Sequence, residues 1–164
     1  ELLTRPWPCA TQAPKFGRPS RGIWSLFFQP VMHWYASWRS PYIAPGNALD
    51  PEKYFIVVPD MFTNGYSTSP SNAAAQHAGL QFPQVTRYDN VVAQRILLEE
   101  QFEVPRIELM AGFSMSGQQA HHWAALHSDF VKRASAICDT AKTSPHNWVM
   151  LHAYKSAMFA WLPW

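Results

Sequence analysis

The chain predicts an α/β fold: a mostly parallel sheet with helices on both faces. Three observations carry that expectation. Short apolar runs stand at Tyr54–Val58, Ile107–Ala111 and residues 133–138. Stretches of helical character separate them, over about Asn90–Phe102 and Gln118–Leu126. Strand, helix, strand, helix, strand in that order is the pattern of parallel strands joined by crossover helices, and each crossover should be right-handed.

Residues 1–40 read as a separate Pro/Trp-rich segment, with Pro6, Pro8, Pro14 and Pro19 arguing against a long helix or a central strand there. Within it, only Ile23–Phe28 is suited to a strand. Residues 41–53 are loop-like around Pro41, Pro45, Gly46 and Pro51. Tyr54–Val58 is the strongest strand signal, being β-branched and aromatic and ended by Pro59. Asp60–Asn72 is a Gly/Ser/Thr/Asn/Pro loop in which Asn64 is expected to bond its own backbone.

A long connection over 73–87 leads to a helix whose first turn holds Asp89, a cap or first-turn acid; Arg87 and Asp89 are expected to fix its start. Val92, Ile96, Leu97 and Phe102 form its apolar stripe. Pro105 stops it, and Ile107–Ala111 follows as the expected central strand. The run ending at Cys138 is the next strand, with a buried thiol expected there rather than a disulfide to Cys9. A last helix is expected over Asn147 to about Ala160, with Trp148, Leu151 and Met158 on its apolar side.

Between the central strand and its helix stands Gly112-Phe-Ser-Met-Ser-Gly117. A serine on a sharp strand-to-helix turn has an exposed oxygen and sits where helix N–H groups favour negative charge. Ser114 is therefore the candidate nucleophile, and the Met115 backbone N–H the candidate oxyanion donor. Gly112, Gly117 and Ala120 are small where strand and helix must pass closely. The usual G-x-S-x-G pattern has Ser116 in place of its last glycine, a mild departure.

Residues 41 to about 160 resemble the homoserine O-acetyltransferase-like branch of the α/β-hydrolase superfamily. The resemblance rests on Ala44–Asp60, Asn64–Asn72, Phe82–Asp89, the Ser114 turn and Thr143–Trp148, in that order. It implies a partial α/β-hydrolase fold over 41–164. It also implies an acyltransferase that moves an acyl group from acyl-CoA to a hydroxyl through acyl-Ser114, or an ester hydrolase if water replaces the acceptor. Acyl-CoA would be a donor, and no cofactor is expected to be bound. The family is about twice as long and places its acid and histidine beyond this chain, so an incomplete, inactive fragment is the further expectation. Its second oxyanion donor would lie within the unmatched segment.

Within the chain, Ser114, Asp139 and His146 stand in the order Ser, Asp, His, but Pro145 separates the last two closely spaced residues, so this triad is not expected to form. His146 is assigned to loop packing, His121 and His122 to the helix surface, and Gln118 and Gln119 likewise. His33 and His77 show no partner, and His152 lies downstream of Asp139 with His146. A net charge of +2 is too small to indicate nucleic acid or a membrane surface. No apolar run has transmembrane length, and no secretory signal is evident. A small-molecule substrate and a cytoplasmic location follow as expectations, as does self-association through an open sheet edge.

Overall fold

In the computed structural model the described residues are 42–161, together with the backbone of 24–28. Four strands form one parallel sheet: β1 (Trp24–Phe28), β2 (Phe55–Val57), β3 (Leu109–Phe113) and β4 (Ala134–Ile137), in the order β2-β1-β3-β4. The strand within residues 1–40 lies between the other two expected strands, pairing Leu26 with Val57 on one side and Phe28 with Gly112 on the other. β3 is internal, as expected, and starts two residues late; Ile107 joins Val131 only through an isolated bridge.

Three helices complete the described fold: α1 (Arg87–Ile96), α2 (Met115–Leu126) and α3 (Pro145–Trp161). Thr86 caps α1 with a capping box, its hydroxyl accepting from the Asp89 N–H while the Asp89 carboxylate accepts from the Thr86 N–H. The expected role of Asp89 at the helix start is thus met. α1 runs on into a π-helical turn over Leu97–Gln101, and Glu103 ends it at φ 51°.

The core lies between α1, α2 and the sheet, built on Val57, Val91, Leu98, Ile107, Met110, Trp123 and Phe130. It corrects the expected stripe of α1 by one position. Val91, Leu97 and Leu98 are buried, whereas Val92 and Ile96 are only half-buried. The inner face also carries Asn90 and Gln94, polar residues that a purely apolar stripe passes over.

Two further expectations fail. Cys138 is exposed, not buried, because β4 ends at Ile137 and Cys138 turns the backbone away at φ 53°; Cys9 lies outside the described residues. α3 buries no residue, and Trp148, Leu151 and Met158 are all exposed. No helix of the described residues is long and apolar enough to cross a membrane.

Candidate active site

The turn after β3 is built by close approach. A Cβ on Gly112 would lie 2.2 Å from the Ser116 carbonyl oxygen, so any larger residue would drive strand and helix apart. One on Gly117 would lie 2.6 Å from Cγ of Asp139. Ala120, one turn on, is fully buried. Gly112 therefore fills the role expected of it, whereas Gly117 makes room for the Asp139 side chain, and Ser116 tolerates its place because the contact is through its backbone.

Ser114 sits on this turn, between the last residue of β3 and the first of α2, at φ 57° and ψ −121°. That is a conformation non-glycine residues rarely adopt. Two hydrogen bonds hold it: the Ser114 N–H donates to the Ile137 carbonyl (2.8 Å), and the Gln118 N–H donates to the Ser114 carbonyl (3.3 Å). Its side chain does not cap the helix, and the residue is exposed. The hydroxyl is thus presented at the carboxyl edge of a parallel sheet, where open α/β sheets place their ligands. Met115 is the first residue of α2, so its N–H has no acceptor within the helix. The hydroxyl and that N–H share one helix N-terminus, an arrangement able to attack a carbonyl and stabilise the oxyanion that forms.

The loop beyond β2 is fixed to the same helix. Asn64 Oδ1 accepts from the N–H groups of Tyr66 and Ser67, and its amide donates to Asp60 Oδ1 at 2.9 Å, so Asn64 serves its own loop as expected. Burial raises the Asp60 carboxyl above the usual range, and the Asn64 amide opposes that shift. Ser69 Oγ accepts from the Gly65 N–H and donates to the Ser67 carbonyl, and Asn72 closes the loop onto Gly65 and Ser67. From α1, Asn90 Oδ1 accepts the Phe62 N–H at 2.9 Å.

Gln119 corrects an expectation. It is almost fully buried rather than on the helix surface. Its carbonyl accepts from the Gln94 amide at 2.9 Å, its own amide meets the Met61 sulfur, and Gln94 in turn accepts from the Trp123 indole at 3.0 Å. This chain of polar groups ties loop, α1 and α2 together. The partners of Gln119 lie on the loop and on α1, beyond the reach of any local sequence pattern.

Asp139, His121 and His146 do not meet Ser114 as a triad. Asp139 Oδ2 lies 3.2 Å from His121 Nε2. His146, expected to pack in a loop, is instead exposed in the first turn of α3. His122 Nδ1 contacts the Gln118 carbonyl at 2.9 Å, and His152 packs on Trp148 with ring centroids 4.4 Å apart. Among the described residues no histidine is hydrogen-bonded to the Ser114 hydroxyl, and no group of three metal-ligating side chains gathers. His33 lies outside the described residues.

Comparison with known proteins places this geometry. The chain is 42% identical over 123 residues to an ethyl acetate hydrolase from Pseudomonas veronii, a match covering 73% of this chain and 35% of that protein. It is 32% identical over 134 residues to a homoserine O-acetyltransferase from Moorella thermoacetica, covering 79% of this chain and 36% of that protein. The crystal structure of an acetylester hydrolase from Corynebacterium glutamicum superposes with a TM-score of 0.74 at 34% identity, over 84% of this chain and 40% of that one. The chain thus spans about a third of the length of the curated relatives it matches. The model of the alpha/beta hydrolase fold family matches residues 30–164. The chain belongs to the alpha/beta hydrolase fold family.

Proposed function

We propose that Ser114 is an acyl-carrying nucleophile and that residues 41–164, with β1 built into the same sheet, form the N-terminal part of an α/β-hydrolase domain. The activity is that of a homoserine O-acetyltransferase-type enzyme. An acyl group passes from acyl-CoA to Ser114, with loss of the CoA thiol, and then to the hydroxyl of a small-molecule acceptor. The observation that carries this reading is the backbone of Ser114, held at φ 57° between β3 and α2 with its side chain exposed. A serine left in so unfavourable a conformation is best explained by the use of its oxygen. The Met115 N–H supplies one oxyanion donor.

Ester hydrolysis is the second reading. It is favoured by the 42% identity to a protein named as an ethyl acetate hydrolase. Water then replaces the hydroxyl acceptor in the second half-reaction, and all else is shared.

Without a general base on Ser114, the chain alone is expected to react slowly, retaining on the order of a thousandfold effect over water from its oxyanion donor and binding. The test is labelling with a fluorophosphonate probe followed by peptide mapping. Label on Ser114, absent in Ser114→Ala and unchanged in His146→Ala, supports the reading. Label elsewhere, or reactivity destroyed by His146→Ala, overturns it. Partition of acetyl groups between water and a hydroxyl acceptor, with acetyl-CoA as donor, separates transfer from hydrolysis.

A further inference from the structure

Ser114 is not the only residue at this sheet edge with an unfavourable backbone. Phe113 and Ile137 are register partners on β3 and β4. The next residue on each strand, Ser114 and Cys138, is non-glycine with positive φ, 57° and 53° respectively. The two strands therefore turn sharply at the same level, side by side. They are linked there by the bond from the Ser114 N–H to the Ile137 carbonyl.

The turn at Cys138 has a visible consequence. It directs Asp139 back against α2, where its side chain is only 4% exposed and packs on Gly117. A buried carboxylate needs a counter-charge or hydrogen bonds. Asp139 Oδ2 lies 3.2 Å from His121 Nε2, one helical turn beyond Gly117, close enough for charge pairing though without hydrogen-bond geometry. The mechanism proposed above uses neither residue.

We infer that Asp139 and His121 form a latch that clamps the first two turns of α2 to the end of β4 and so holds Ser114 in its strained conformation. The latch works from behind the turn. Asp139 fills the space that Gly117 leaves open, His121 keeps it there, and Ile137, two residues earlier, grips the Ser114 N–H. Both are positioning residues, not catalytic ones. The consequence for reactivity rests on the nucleophile reading, whereas the effect on the backbone does not.

The test compares the full chain with Asp139→Asn, His121→Gln and Gly117→Ala. His121→Gln is the mildest change because that side chain is 44% exposed. Gly117→Ala should mimic the loss of Asp139, since its new methyl takes the same space. Two readouts are needed: amide hydrogen exchange by mass spectrometry, and the rate of fluorophosphonate labelling. Exchange across residues 113–121 should quicken about tenfold while α1 is unaffected, because opening is local. Labelling of Ser114 should slow by about ten- to a hundredfold, the scale of a misplaced reacting atom.

If the wild type labels at Ser114 and the variants match it in both rate and exchange, the latch is overturned while the nucleophile reading stands. If no chain labels at Ser114 but the variants still loosen 113–121, the latch stands and the nucleophile reading falls. Exchange that rises equally over the core would mark a general loss of stability and would also overturn the latch.

Discussion

At position 114 the chain holds a serine where glycine would be more comfortable. A residue in such a backbone region costs about 1 to 3 kcal/mol relative to a relaxed one. Replacing it should therefore separate stability from reactivity. Ser114→Gly is expected to raise the urea midpoint, by a fraction of that cost because glycine also gains freedom in the unfolded chain. The same variant should lose all fluorophosphonate label. A drop in midpoint would show that the serine side chain contributes packing rather than strain. Gly112 is the opposite case. Its hydrogen faces the Ser116 carbonyl at a distance no Cβ could occupy, so the strain at Ser114 and the need for glycine at 112 come from the same close crossing of β3 and α2.

At the scale of elements, the loop over 60–72 and helix α1 form one unit. The helix presents Asn90 inward, and its side chain takes the Phe62 N–H while giving its amide to the Thr86 carbonyl. Asn90 is 8% exposed, so water cannot readily replace these partners. Asn90→Ala should cost about 1 kcal/mol, the net worth of a half-buried hydrogen bond lost from the loop. It should also speed exchange of the Phe62 amide, which hydrogen exchange would report directly. An unchanged midpoint would mean that the loop finds another acceptor. A stripe of Val92 and Ile96 reads naturally from the sequence, because apolar residues are the usual markers of a buried face. Here two amides occupy that face, and their value depends on partners 25 to 29 residues away in sequence: Phe62 for Asn90, and Gln119 and Trp123 for Gln94. Periodicity carries no information about such distant pairing.

For the whole molecule, two expectations follow from what the sheet and helices leave uncovered or enclose. His127 closes α2, its ring 5.0 Å from that of Trp123 and its Nε2 buried without a hydrogen-bond partner. Burial first, and the Arg95 charge second, hold its pKa below the ordinary value of 6.5. The folded state therefore resists protonation, while the unfolded chain accepts the proton as soon as pH falls below that ordinary value. Stability from this site is complete above it and is lost as pH falls through the folded value. Urea midpoints measured between about pH 8 and pH 5 should decline on the acid side, and His127→Phe should flatten that decline. A slope unchanged in the variant would assign the effect to another group.

The second expectation is association. Among the described residues β4 is an edge strand with Ile137 40% exposed, and α3 exposes Trp148, Val149, Leu151, Tyr154, Met158, Phe159 and Trp161. Open strand edges and apolar surfaces of this kind pair with other chains. Sedimentation at tens of micromolar is expected to show oligomers, and a monodisperse monomer would contradict that. The exposure of α3 was not legible from its composition. Its apolar residues suit a helix packed on a core, but nothing in a single helix states whether a surface lies within reach to receive it.

The sequence by itself determined the order of elements, the parallel character of the sheet and the serine turn with its small neighbours. These are local matters. Strand propensity, the helix start at Thr86 and Asp89, and the glycines beside Ser114 all act within a few residues of one another. Tertiary structure alone decided that Trp24–Phe28 would lie between β2 and β3, that Gln94 and Gln119 would be interior, and that Asp139 would turn to His121 rather than toward His146. Each of these depends on groups far apart in the chain meeting at fixed distances. Burial, charge pairing and the register of neighbouring strands exist only once the sheet has formed, and no local pattern of residues encodes them.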